Sequence, residues 1–67
     1  GERLREARVI QRLRQEDLAA KIQTMGANLE RDSISRIEIG TRFVSDFELK
    51  VFAKALGVSV DWLLDNE

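Results

Sequence analysis

The sequence predicts an all-α domain of five short helices, and three observations lead there. Apolar residues recur at three- and four-residue spacing through most of the chain. Gly26, Gly40 and Gly57 each fall just past one of these periodic stretches. Ser45 and Ser59 each stand immediately before another, where a helix N-cap belongs. No convincing strand emerges, and the chain has no proline, repeat, linker or low-complexity segment.

The first helix is read over Glu2–Gln11, with Leu4, Ala7 and Ile10 or Gln11 inward and Arg3, Arg5, Glu6 and Arg8 between them. The second runs over Gln15–Gln23 with a stripe of Leu18, Ala19 and Ile22. Leu13 and Leu18 are placed to bracket its start as a hydrophobic staple. Glu16 and Asp17 lie in its first turn, where the helix dipole favours acids. Gly26 breaks it. Asn28 and Asp32 are both candidate caps for the third helix, whose inward stripe is Ile34 and Ile37 and whose stop is Gly40. Ser45-Asp46-Phe47-Glu48 is a capping box, with Val44 and Leu49 as staple, opening a fourth helix through Phe52, Ala53 and Leu56 to Gly57. Ser59 caps a last helix holding Val60, Leu63 and Leu64, with Val58 and Leu63 as staple. The expected core is Leu4, Ala7, Leu18, Ala19, Ile22, Ile34, Ile37, Leu49, Phe52, Ala53, Leu56 and Leu63.

Sixty-seven residues make one domain at most, and a chain this short buries a small core. With no Cys there is no disulfide, and with no His either there is no ordinary zinc site. No metal, cofactor or small-molecule ligand is expected. There is no His or Cys nucleophile pair, no phosphate loop and no converging acid cluster, so an enzyme is not expected. Nothing resembles a signal peptide or a membrane span. The net charge of −1 is unevenly spread. Residues 1–45 hold nine Lys/Arg against seven acids, and residues 46–67 two Lys against five acids.

The most informative stretch is Gln15–Gly40. Its second helix offers a polar face of Arg31, Asp32, Ser35 and Arg36, held by apolar residues behind. A helix of this length with bidentate-capable side chains can enter a DNA major groove. These residues point to a DNA reader.

On Arg3-Leu4-Arg5 and Arg8, Leu13-Arg14-Gln15-Glu16-Asp17-Leu18-Ala19, Ile34-Ser35-Arg36-Ile37-Glu38-x-Gly40 and the tail Ala55–Leu64, nearly the whole chain resembles the DNA-binding domain of lambda-type phage repressors and Cro, the XRE-like helix-turn-helix family. The resemblance implies a lambda-repressor-like fold over residues 1–67, with the second and third helices forming the helix-turn-helix. It implies a phage or bacterial transcriptional regulator, a repressor by preference, in the nucleoid-bearing cytoplasm. Double-stranded DNA is then the partner, read by a homodimer on a palindromic operator. Arg31, Asp32, Ser35 and Arg36 match base-contacting positions, with Arg36 suited to guanine and Asp32 serving equally as a helix cap. Arg14, Gln15, Thr41 and Arg42 are the candidate phosphate contacts, and Arg8 with Glu38 a structural ion pair. Val58 and Trp62 are the candidate dimer contacts, though Trp62 serves equally to close the core.

The chain departs from the family pattern in three places. The connection around Thr24–Glu30 is longer, Arg14 stands where Ser or Thr commonly caps the second helix, and Ile39 occupies an often polar place. The rival reading is a protein-interaction module of the same fold, an antitoxin or regulatory adaptor, in which DNA contact is secondary or lost. The abrupt end after Glu67 suits a domain excised from a longer regulator.

Overall fold

A computed structural model describes residues 2–64 of the chain. Five helices follow in order, α1 (Glu2–Ile10), α2 (Gln15–Gln23), α3 (Arg31–Glu38), α4 (Asp46–Leu56) and α5 (Val60–Leu64), and no strand forms among the described residues. The first four end in the same way. After each, one residue turns to positive φ, its N–H bonds back three residues, and the next N–H bonds back five, as in a Schellman motif. Gly26 (φ 97°), Gly40 (φ 86°) and Gly57 (φ 68°) fill this position after α2, α3 and α4. After α1 the same turn is made by Arg12 at φ 60°. A side chain there carries a steric penalty that glycine escapes.

The starts are less uniform. Ser45 Oγ accepts from the Glu48 backbone N–H, and Glu48 Oε1 accepts from Ser45 N–H at 3.0 Å, a complete capping box for α4. Ser59 Oγ accepts from Trp62 N–H. At α2, Arg14 has no side-chain acceptor, so only the return half of the box exists, with Arg14 N–H donating to Asp17 Oδ2 at 2.9 Å. The cap of α3 differs from the sequence reading. Neither Asn28 nor Asp32 fills it; Glu30 does, in extended conformation and without a side-chain bond, and Asp32 lies inside the first turn.

The core contains ten of the twelve expected residues; Leu49 and Leu63 are half-buried on its rim. It also takes Ala27, Leu29, Val51 and Ala55, which helix periodicity in the sequence did not single out. Phe52, Leu18, Ile22, Ile34 and Leu56 are its largest fully buried side chains, each worth roughly 1.5–3 kcal/mol of burial. Ala27 and Leu29 explain how the long α2–α3 connection is tolerated. After the turn at Gly26 the chain leaves helical structure, and these two residues, two apart, are both buried in the core while Asn28 between them is exposed. Gln23 Nε2 donates to the Leu29 carbonyl at 2.9 Å and pins the segment. The connection is therefore a fixed strut that sets where α3 begins.

Around the core, α1 contacts α3, α4 and α5, while α2 packs on α3 and α4. Ile10 is exposed, contrary to one of the two inward options for α1. Gln11 is exposed too, yet its Nε2 donates to the Leu56 carbonyl and ties the end of α1 to that of α4.

Candidate nucleic-acid interface

The reading helix is oriented by its apolar side. Ile34 and Ile37 are buried, so the residues about 100° per step away must face out. Arg31, Asp32 and Arg36 are exposed and Ser35 is half-buried; the four fan over about 140° of α3. Among the described residues Arg31, Asp32 and Arg36 have no ion-pair partner. Two guanidinium groups thus flank a small hydroxyl and a carboxylate on one solvent-facing surface.

The last residue of α3 sits in a polar knot. Glu38, with 3% of its side chain exposed, accepts from Arg8 Nε at 2.7 Å and from Arg8 Nη2 at 3.1 Å. Gln15 Nε2 donates to the same carboxylate at 3.0 Å, and Arg8 Nη1 donates to the Leu13 carbonyl at 2.7 Å. One carboxylate therefore joins α1, the entrance of α2 and the end of α3. The bidentate fork fixes orientation as well as distance. Gln15 is half-buried and stands at the first position of α2, where backbone N–H groups lack intrahelical partners.

Of the other three phosphate candidates, Arg14 and Arg42 are already held by carboxylates. Arg14 pairs with Asp17 at 3.1 Å and Glu16 at 3.4 Å on an exposed surface. The hydrogen bond donated to Asp17 raises the guanidinium pKa, and accepting it from Arg14 lowers that of the Asp17 carboxyl. Arg42 is half-buried and pairs with Glu48 at 3.2 Å, also donating to the Phe43 carbonyl. That bond from Arg42, followed by those from Ser45, holds the Glu48 carboxyl below the usual range against the opposing effect of burial. Thr41 is exposed, and both its N–H and its hydroxyl donate to the Arg36 carbonyl, closing the end of α3.

Val58 and Trp62 are half-buried and pack against the core within the one chain. The Arg3 guanidinium carbon lies 4.5 Å from the Trp62 ring centroid, a cation–π contact that covers one side of the indole. Ile39 is 70% exposed at the end of α3, and Phe43 is 98% exposed in the following loop.

Sequence reasoning found the residue types of the outer face. It missed that Gln15 donates to Glu38 across 23 positions, and that Leu29 and Ala27 anchor the approach to α3. The alternation of Ala27 and Leu29 was the available signal for the second.

No helix among the described residues is long and apolar enough to cross a membrane. Comparison with curated proteins and with solved structures gives no match. A family model described as a helix-turn-helix domain matches residues 1–64. With α2 packed on α3 and an exposed polar face on the second of the pair, the match agrees with the geometry: the chain belongs to the helix-turn-helix domain family of DNA-binding domains.

Proposed function

We propose that this domain is a sequence-specific reader of double-stranded DNA of the lambda-repressor and Cro type, serving as a transcriptional repressor. The outer face of α3 carries the reading. Two exposed arginines without ion-pair partners among the described residues stand on a helix whose opposite side is buried through Ile34 and Ile37 and whose last turn is fixed by Glu38. An arginine fork matches guanine O6 and N7, so Arg36 is assigned to a guanine and Arg31 to a neighbouring base or its phosphate. Ser35 lets the helix approach closely, and Asp32 accepts from a cytosine amine while disfavouring phosphate.

Gln15, Thr41, Arg14 and Arg42 are assigned to the sugar–phosphate backbone, which positions the helix without reading sequence. Arg14 and Arg42 must exchange carboxylate partners for phosphate. Each therefore contributes less to affinity than a free arginine at the same place.

A homodimer on a palindrome suits the size of the domain. Its Cα extents are 27 × 24 × 23 Å, less than the roughly 34 Å between half-sites one helical turn apart. One copy covers one half-site. Pairing is assigned to the surface of Val58, Trp62 and the exposed Leu64, and it is weak off DNA because so short a segment buries little area.

Selection of bound sites from a random duplex pool tests the function. A palindromic consensus is expected, with higher affinity per domain on the full site than on an isolated half-site. Recovery of no consensus at low salt would move the assignment to an interaction module of the same fold. Equal affinity per domain on both sites would remove the homodimer.

A further inference from the structure

We infer that the outer stripe of α4 is a docking site for an acidic amphipathic helix of a partner protein. Phe47, Lys50, Val51 and Lys54 fall at i, i+3, i+4 and i+7, so they share one face of α4. Together with Met25 they line a shallow depression. Its floor is apolar. Val51 is buried, Met25 is half-buried, and Phe47 is 58% exposed, its ring tip 3.9 Å from where a Cβ on Gly26 would stand. This is a different stripe from that of Phe52 and Leu56, which the core consumes.

The rim decides the occupant. The chain has three lysines, and two of them border this floor. Both are exposed, and neither has an ion-pair partner among the described residues, although Asp46 stands one turn before Lys50. Two ammonium groups one helical turn apart complement two carboxylates at the same spacing on a facing helix. Apolar side chains on that helix then cover Phe47, Met25 and Val51. Met25 adds a flexible thioether that adapts to the shape of its neighbour.

Nucleic acid fits the depression less well. A phosphate backbone has nothing to place on an apolar floor, and lysine lacks the fork that pairs with phosphate in two bonds. None of Arg14, Gln15, Arg31, Arg36, Thr41 and Arg42 lines it. The partner and the DNA-reading face are therefore separate, and the inference stands whether or not the domain acts as a repressor.

The test uses the ¹⁵N-labelled domain and a synthetic helical peptide with Leu on one face and Glu along its border. A control peptide carries Gln for every Glu. Saturable amide shifts are expected at Met25, Phe47, Lys50, Val51 and Lys54. The Gln peptide, and the double variant Lys50→Glu/Lys54→Glu, should each bind about tenfold more weakly. Both lysines are exposed, so the variant should keep a dispersed spectrum; Phe47→Ala tests the floor independently and should also weaken binding. The inference is overturned by any of three results. These are no saturable shift up to about 1 mM peptide, equal affinity of the Glu and Gln peptides, or shifts centred instead on a second, separate groove, which Leu4, Leu49 and Leu63 line. A DNA duplex that moves Lys50 and Lys54 while the peptide does not would assign the stripe to nucleic acid.

Discussion

At the C-terminal end of α3, Glu38 takes three hydrogen bonds from Arg8 and Gln15 and is 3% exposed in its side chain. On the outer side, Arg31 and Arg36 reach into solvent with no ion-pair partner among the described residues. The same helix thus carries a charge that is fully committed and charges that are held in reserve. The committed group cannot meet DNA without breaking the frame. The reserved groups have lost no intramolecular bond when a ligand arrives, so their binding free energy is not spent on exchange. Arg42 lies between these cases, since phosphate must compete with Glu48 for it.

Breaking the committed side should have the largest effect. Glu38→Ala leaves the Arg8 guanidinium, 12% exposed, without its carboxylate. A loss of about 3–5 kcal/mol in unfolding free energy is expected, read by denaturant titration. Replacing both partners by apolar residues of similar size should cost far less. An Arg8 single variant as benign as the double would show that the knot does not carry the load assigned to it.

Next comes the strut that places α3. Leu29→Ala should cost about 2–4 kcal/mol, since Leu29 is 3% exposed. It should also speed amide exchange at Ile34 and Ile37 more than at Phe52 and Leu56. Uniform change across the domain would mean that Leu29 is ordinary core and not a positioning residue.

Smaller effects sharpen the comparison at the intermediate pair. Arg42 depresses the Glu48 carboxyl, so the stability this gives is complete above the ordinary glutamate pKa of about 4.3. It is lost as pH falls through the lower folded-state value. Glu48→Gln should remove part of the acid-limb slope of stability against pH, at a cost of about 1 kcal/mol or less at neutral pH. An unchanged slope would detach Glu48 from the acid transition. At the end of α1, Arg12→Gly should relieve the φ of 60° and raise stability by up to about 1 kcal/mol. A melting temperature that falls would show that the arginine side chain does more than occupy a turn.

The fold was legible because its signals are local. Serines 45 and 59 and the glycines at 26, 40 and 57 mark helix ends through bonds made within five residues. Where the same motif used a residue without a glycine's signature, at Arg12, sequence reading had nothing to find. The cap at Glu30 was invisible for a related reason, since its side chain makes no capping bond. Ala27 and Leu29 were missed because the connection around Thr24–Glu30 was read as a helix end or loop, where no helical stripe marks the inward residues. For the site, the residue types on α3 were readable from the Ile34/Ile37 stripe. What was not readable was which polar groups are already engaged. The partners of Gln15 lie 23 positions away, and Trp62 is covered by Arg3 from the far end of the chain. Such pairings depend on how helices close on one another.

The central claim is that the outer face of α3 reads bases while its inner face holds position. Site selection and thermal unfolding on Arg36→Ala, beside the unaltered domain, test both halves at once. An unchanged melting temperature, a loss of roughly 1–3 kcal/mol in affinity for the selected site, and relaxed preference at one position in each half-site are expected. A variant that keeps the full consensus with affinity lowered evenly would make Arg36 a phosphate contact and contradict the claim.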